Sequence, residues 1–215
     1  MNKLNMLIEQ IITQQFSENV WLVGDPQTRK GLIIDPGDHA DEIIGKISEM
    51  NIQPLAILNT HAHPDHLAAA AKVQNHYDIP FYLHAKEKAV LKSAIPFGLV
   101  LGIRITRVPS QVIYLQDEET LKIEPFEIRV IATPGHTPGS VCYLIADRLF
   151  SGDTLFRNSV GRVDFPGSSW QELKRSLEKL KNLPPATEVY PGHGMNTTIG
   201  QELSHNPYLK NGEWR

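Results

Sequence analysis

Within Thr60-His61-Ala62-His63-Pro64-Asp65-His66, three imidazoles and one carboxylate fall in six consecutive positions. Imidazole nitrogen and carboxylate oxygen are the usual donors to zinc and similar divalent cations. A lone histidine on a loop is ordinarily solvated or bonded to backbone. Several crowded together compete for protons and lose hydration unless a cation joins them. Three weaker stretches carry the same residue types: Thr133-Pro134-Gly135-His136-Thr137-Pro138-Gly139, Ser151-Gly152-Asp153-Thr154 and Tyr190-Pro191-Gly192-His193-Gly194. Each sets one His or Asp beside glycines, which let the backbone turn sharply and approach a site closely. Singly, each reads as a turn. Together with residues 61–66 they supply seven donors, five His and two Asp. Seven exceed the needs of one tetrahedral ion and suit two, if one carboxylate is shared and a water fills the gap.

The surrounding elements must bring these stretches to one place. Pro54-Leu55-Ala56-Ile57-Leu58-Asn59 reads as a buried strand, and the run from Leu67 to Val73 as a helix. Pro64 suits the helix entry, where its missing N–H is not needed. The cluster thus falls at the carboxyl end of a strand, where open α/β sheets place their ligands. Upstream, residues 7–12, 20–23 and 31–34 read as strands, with Gly24-Asp25-Pro26 as a turn and Asp35-Pro36-Gly37-Asp38 closing the third. Ile43, Ile44, Ile47 and Met50 give residues 39–50 helical spacing.

Downstream, Phe81-Tyr82-Leu83-His84 reads as a strand and Lys86 to Ser93 as a helix. A loop is expected from Pro96 to Pro109, its apolar residues forming a lid, a substrate wall, a dimer contact or a plain connector. Strands are expected at 111–115, 120–123, 126–132, 141–145 and 148–151. A helix over 169–182 would bury Leu173, Leu177 and Leu180, with Ser168 or Ser169 as its cap. A strand at 187–190 and a short helix at 197–204 complete the chain. Strands, helices, strands and helices in that order predict an α/β protein with two sheets sandwiched between helix layers.

A length of 215 residues suits a single domain spanning 1–215. The net charge of −3 offers no basic excess for nucleic acid or an anionic membrane. With Cys142 alone, no internal disulfide can form, which fits a reducing compartment. Met1 to Phe16 lacks the continuous apolar core of a signal peptide, and the run from Ala94 to Ile103 is too short to span a bilayer. The expectation is a cytoplasmic monomer or homodimer acting on a small molecule.

The motif His61-x-His63-x-Asp65-His66, followed by His136, Asp153 and His193, resembles the metallo-β-lactamase superfamily. Thr133 to Ser140, Ser151-Gly-Asp-Thr-Leu-Phe156, Gly161-Arg162-Val163-Asp164 and Tyr190-Pro-Gly-His-Gly194 resemble its glyoxalase II (hydroxyacylglutathione hydrolase) branch, among the short single-domain members. The likeness runs from Ile34-Asp35-Pro36-Gly37 to Asn206-Pro207. It implies an αββα sandwich, two mixed β-sheets between helix layers, with the site at one edge. It implies one metal on His61, His63 and His136, a second on Asp65, His66 and His193, and Asp153 bridging them. Asp35 becomes a candidate for steadying the 61–66 loop by hydrogen bonding, beside its ordinary role as a turn former. Longer glyoxalase II enzymes add a helical C-terminal region with basic residues for glutathione. Leu209 to Arg215 is too short for one, so another thiol carrier stays open.

The expected chemistry is hydrolysis of a thioester such as S-lactoylglutathione by a hydroxide bridging two metal ions, with Asp65 orienting it. Zinc is the default ion, with iron or manganese open on the same donors. A thiol leaving group of pKa about 8.5 departs without a dedicated general acid. Cys142, in Val141-Cys142-Tyr143-Leu144, reads as a buried inert thiol rather than a nucleophile. Arg162 either binds an acidic substrate group or pairs with Asp164, the pair being favoured. His84 reads as a hydrogen-bonded surface residue, His39, His76 and His205 as solvated, and Trp21, Trp170 and Trp214 as packing residues. The alternatives are a mononuclear-iron persulfide dioxygenase, a lactonase or broad-specificity esterase, and a non-catalytic metal-binding module. A β-lactamase is disfavoured by the bridging Asp153, and a nuclease by the acidic balance.

Overall fold

Alternating apolar residues assign the strands to layers in this computed structural model, which describes residues 6–210. The first sheet has the spatial order β1 (Leu7–Ile12), β2 (Asn19–Gly24), β3 (Lys30–Ile34), β4 (Gln53–Leu58), β5 (Phe81–His84) and β6 (Val112–Leu115). The second contains β7 (Thr120–Ile123), β8 (Phe126–Ala132), β9 (Val141–Ile145) and β10 (Arg148–Gly152). A two-stranded ribbon, β11 (Leu155–Phe156) and β12 (Ser159–Val160), then precedes β13 (Glu188–Pro191) and β14 (Thr197–Thr198). The second sheet runs in the order β14-β13-β10-β9-β8-β7. Both sheets are mixed: β3, β4, β5 and β6 pair in parallel, as do β10 and β13, and the other neighbours are antiparallel.

Side chains along a strand point alternately to its two faces. Trp21, Val23, Leu32, Ile34, Ala56 and Leu58 therefore face the second sheet and meet Ile128, Val130, Val141, Tyr143 and Phe150 there. Their neighbours Val20, Leu22, Ile33 and Ile57 face the outer helices α1 (Ala40–Met50), α3 (Ala70–Tyr77) and α4 (Lys88–Leu101). A single short turn of helix, α2 (Pro64–Leu67), lies between α1 and α3, with Pro64 at its start. On the far side of the second sheet pack α5 (Trp170–Leu180), α6 (Ile199–His205) and α7 (Pro207–Lys210). This is the αββα sandwich. Among the described residues no helix is long and apolar enough to cross a membrane.

The structure corrects the loop expected from Pro96. Helix α4 continues through Pro96 to Leu101 and ends at Gly102, whose N–H meets the carbonyls of Gly98 and Leu99. Proline in a helix interior costs about 3 kcal/mol. Burial of Leu91, Ala94 and Gly98 on one face outweighs it, and Pro96 lies on the exposed side. Of the offered roles for this segment, Phe97 and Leu101 fill that of a cleft wall. Smaller differences lie at boundaries. The helix expected from Leu67 begins at Pro64 and breaks before Ala70. Thr197 and Thr198 form a strand ahead of α6.

The α5 cap is Ser169, whose Oγ accepts from the N–H of Glu172 at 3.3 Å. Leu173, Leu177 and Leu180 are buried as the spacing predicts. Replacing Leu177 by Ala should cost about 2–5 kcal/mol of unfolding free energy, since the site is enclosed. Urea unfolding monitored by circular dichroism measures it. A loss below about 1 kcal/mol would show that this face is not core.

Candidate metal centre

Strand direction brings the donor stretches together. β3 and β4 run in parallel and deliver Asp35 and residues 61–66 from their carboxyl ends. In the second sheet β8 and β10 are each antiparallel to β9, and β13 is parallel to β10. Their carboxyl ends therefore share one edge, followed by His136, Asp153 and His193 respectively. Close approach demands glycine at two of these ends. Gly152 has φ +47°, and a Cβ there would strike the Thr60 side chain. A Cβ on Gly192 would lie 2.6 Å from Cε1 of His66 and would meet the Asp153 carboxylate.

The seven donors form two groups. The ligand atoms of His61, His63 and His136 all lie within 4.8 Å of one another, and those of Asp65, His66 and His193 do likewise. Asp153 stands between them. Its Oδ2 is 3.4 Å from Nε2 of His136 and 3.6 Å from Nε2 of His193, and its Oδ1 is 3.3 Å from Nε2 of His66. Across the groups' own members, His136 Nε2 lies 2.9 Å from His63 Nδ1, and His66 Nε2 lies 3.3 Å from His193 Nε2.

The outward ring nitrogens decide what the inward ones can do. His136 Nδ1 donates to the Arg162 carbonyl at 2.7 Å, and His193 Nδ1 to the Phe16 carbonyl at 3.1 Å. His66 Nδ1 donates to Oδ2 of Asp35 at 3.1 Å. Thr60 Oγ gives its proton to the same Asp35 oxygen at 2.6 Å and so accepts from His61 Nδ1 at 3.0 Å. Each of these four rings, when neutral, then turns a bare lone pair inward. Buried lone pairs facing one another are unfavourable without a shared cation. His61 Nε2 and Asp153 Oδ1 are moreover buried without any hydrogen-bond partner, a cost of about 1–3 kcal/mol each. The donor set fits a pair of divalent cations and forms a binuclear metal-binding site.

The electrostatics agree. Burial, with the charges of His66, His63 and His136, pushes the His61 imidazole well below its usual range, and burial with His136 takes His63 down to about 3. Burial works against the charged forms of Asp65 and Asp153 too. The neighbouring histidines, His66 foremost and then His193, together outweigh it, lowering Asp65 and holding Asp153 well below the carboxylate range. Conversely, burial disfavours protonated His66 and His193, yet the Asp153 carboxylate leads a group that raises both. Without a cation, protons are drawn to the places that a cation would neutralise.

Asp35 is hydrogen-bonded to the 60–66 loop. Besides His66 and the Thr60 hydroxyl, its Oδ1 accepts the Thr60 N–H at 2.7 Å. Several further residues that the sequence does not single out bear on the site. Glu87 accepts the N–H of Ala62 and of Gly139, each at 2.8 Å, and so ties the 61–66 loop to the 136 loop. Asn59 Nδ2 donates to the carbonyls of His61 at 2.8 Å and His66 at 3.1 Å, while Tyr143 Oη donates to the Asn59 carbonyl at 2.8 Å. Glu18 is fully buried 3.9 Å from His66 Nδ1, and its burial pushes the carboxyl well above the usual range. Of these, only Asn59, adjoining the cluster, was within reach of sequence inspection.

Other candidates fall outside the donor groups. His84 is buried rather than on the surface, because β5 is an inner strand, and it pairs with Asp117 at 3.0 Å. His76 and His205 are exposed, and His39 is half-buried, accepting from the Gln14 N–H at 3.3 Å. Arg162 makes the favoured pair with Asp164 through two hydrogen bonds of 2.6 Å. Trp21 is buried and donates to the Pro191 carbonyl at 3.0 Å, Trp170 stacks on Tyr208 with substantial exposure, and Trp214 lies outside the described residues. A cleft of about 320 Å³ opens over the donors, bordered by His63, Asp65, His136, Asp153, His193 and a series of apolar side chains.

The profile of the metallo-beta-lactamase superfamily matches residues 13–193. A "probable metallo-hydrolase", YqgX of Bacillus subtilis, is 42% identical over 194 residues, covering 88% of this chain and 90% of its own. A "hydroxyacylglutathione hydrolase", GloC of Haemophilus influenzae, is 33% identical over 212 residues, covering 95% and 98%. Among solved structures, the crystal structure of the B3 metallo-beta-lactamase BLEG-1 is 37% identical with TM-score 0.86, covering 95% of this chain and 100% of that one. The crystal structure of TTHA1623 in a di-iron-bound form is 38% identical with TM-score 0.85, covering 94% and 100%.

Two outcomes follow from this geometry. Stripping metal with a chelator should lower the melting temperature, and restoring zinc should raise it, because a ligand of the native state alone stabilises by mass action. At a hundredfold excess over Kd the effect is about 2.7 kcal/mol. An unchanged melting curve would contradict a site shaped for cations. Separately, burial pushes the Cys142 thiol up to about 11. Its raised pKa favours folding below the unfolded thiol's pKa of about 8.5, and that contribution fades as pH climbs towards the folded value. A disulfide reagent should label the native protein negligibly from about pH 7 to 9 and label it readily in denaturant. Fast native labelling would place this thiol at the surface.

Proposed function

The chain belongs to the metallo-beta-lactamase superfamily and is a metal-dependent hydrolase, and we propose that it is of glyoxalase II type, cleaving thioesters such as S-lactoylglutathione. The observation that carries this reading is the placement of Asp153 between two three-donor groups. A carboxylate there would bridge two cations. The likeness to GloC across nearly the whole of both chains supports the thioester. We assign His61, His63 and His136 to one cation, Asp65, His66 and His193 to the other, and zinc as the default ion. TTHA1623 in its di-iron-bound form keeps iron as the first ion to compare.

Bound there, such cations supply Lewis-acid polarisation of a carbonyl and a water acidified to near neutral pH. The protein's own groups do the rest. Asp65 Oδ2, 3.4 Å from His193 Nε2 and kept ionised, accepts a proton from the attacking water in a hydrogen bond that orients it. The water oxygen bonds to the thioester carbon, the carbon–sulfur bond breaks, and sulfur leaves with the electron pair as a thiolate. One proton of the water goes to solvent by way of the Asp65 carboxylate, the other passes from the nascent carboxylic acid to the thiolate, and the products are a carboxylate and a thiol. Asp35, Asn59 and Glu87 hold the loops still while this happens. Buried Cys142 takes no part.

Purified protein loaded with zinc or iron should release free thiol from S-lactoylglutathione. Asp153→Asn should cut turnover by roughly a hundredfold or more and lower the bound metal per chain. The same preparation should be assayed against a β-lactam, a lactone, and oxygen uptake with glutathione persulfide. The lactam arm is called for by the likeness to BLEG-1. No thiol release, alongside turnover in any other arm, would replace the thioesterase reading with that one.

A further inference from the structure

The cleft over the donors is walled mainly by carbon. Phe16, Phe97, Leu101, Phe156, Val160 and Phe165 border it. Phe97 comes from α4, and Phe165 from the stretch between β12 and α5. Their rings meet edge to face with centroids 5.4 Å apart. Both also meet the His63 ring edge to face, Phe97 at 5.8 Å and Phe165 at 5.3 Å. The three rings therefore form a fixed aromatic corner directly beside one donor group. On the other side, Phe156 stands against His193 at 6.0 Å, and Phe16, whose carbonyl holds that ring, is partly exposed.

Positive charge is scarce here. Among the described residues lining the cleft, Arg162 is the one Lys or Arg. Its guanidinium is committed to both oxygens of Asp164 and lies over the Phe165 ring at 4.4 Å from the centroid. It thus extends the Phe165 surface rather than offering a free clamp for a carboxylate. A carboxylate-bearing or strongly hydrated acyl group would lose water in this corner and gain no partner. An apolar group would exchange water for carbon on three sides.

We propose that this enzyme's preferred thioesters carry an apolar acyl group, linear or aromatic, of about four to seven carbons, seated against the corner that the touching rings of Phe97 and Phe165 form beside His63. The proposal rests on the thioesterase reading and makes these two phenylalanines the specificity-determining residues. The thiol carrier lies toward Phe156 and Phe16, the side that opens to solvent.

The test uses metal-loaded protein and thioesters of one small neutral carrier, N-acetylcysteamine, with acetyl, lactoyl, butyryl, hexanoyl and benzoyl groups. From acetyl to hexanoyl, kcat/KM should rise about threefold to fourfold per methylene, as buried methylenes do. Lactoyl should fall near acetyl. In Phe97→Ala and in Phe165→Ala the hexanoyl-to-lactoyl ratio should fall about tenfold, while Phe97→Leu, which keeps apolar bulk, should retain most of it. An uncleavable hexanoyl ketone, with methylene in place of sulfur, gives a readout apart from turnover. By calorimetry it should bind the two alanine variants about tenfold more weakly than the parent. Metal content per chain shows that the variants are folded. A flat or falling series with lactoyl still cleaved overturns this inference and leaves the thioesterase reading standing. A rising series that both alanine variants preserve overturns the assigned seat. No cleavage of any thioester sinks both.

Discussion

Five imidazoles and two carboxylates share one small, largely buried volume, and most of the structure answers that constraint. Such groups are tolerable only if each knows which of its atoms carries a proton. The outer nitrogens settle this for four rings by donating to fixed acceptors: two backbone carbonyls, the Asp35 carboxylate and the Thr60 hydroxyl. Asp35 has the largest share. It receives the Thr60 N–H, the Thr60 hydroxyl and the His66 ring together, and through Thr60 it also fixes His61. One side chain thus sets the tautomer of a ring in each donor group. Outer partners of this sort orient metal-binding histidines and raise their basicity.

The sandwich exists, for this site, to hold two loop systems in register from two sheets. Parallel pairing in the first sheet places Asp35 beside the 61–66 loop, and the β8, β10 and β13 ends supply the rest. Loops alone would wander. Glu87 pins the first sheet's loop to the second sheet's by bonding Ala62 and Gly139 with its two oxygens. Tyr143 does the same lower down, its ring inside the core between sheets and its hydroxyl on the Asn59 carbonyl. Gly152 and Gly192 permit the contact distances that any side chain would forbid.

How much of this was legible in the chain depended on locality. The 61–66 cluster and the three glycine-flanked stretches are contiguous, so the seven donors stand out, and period-two alternation marks the inner strands. Asp35 stands out through the family resemblance, which runs from Ile34-Asp35-Pro36-Gly37. Glu18 and Glu87 do not, because each is one acidic residue in a polar stretch. Their importance comes from partners far along the chain: Glu87 meets Gly139, and Glu18 meets His66. The course of α4 departs from the expected loop for a related reason. Pro96 is a strong local signal against helix, and the burial that overrides it involves tertiary neighbours. His84 is buried rather than at the surface, and nothing in Phe81–His84 itself reveals that strands flank it on both sides.

The walls of the cleft complete the physics of the donors. A cation or carboxylate acts more strongly where water is scarce, since the same charges at 4 Å interact about fourfold more strongly at an effective dielectric of 20 than in bulk water. Phe97, Phe165 and Phe156 stand against the rims of His63 and His193 and exclude water without offering any competing donor. None of these rings ligates anything, and none stands out in the sequence. They come from α4, from the loop before α5 and from β11, elements that carry none of the seven donors. The strand ends thus fix the chemistry, while separate elements set the polarity above it. The donor set can therefore stay constant while exchange of the wall residues alters which substrate is admitted.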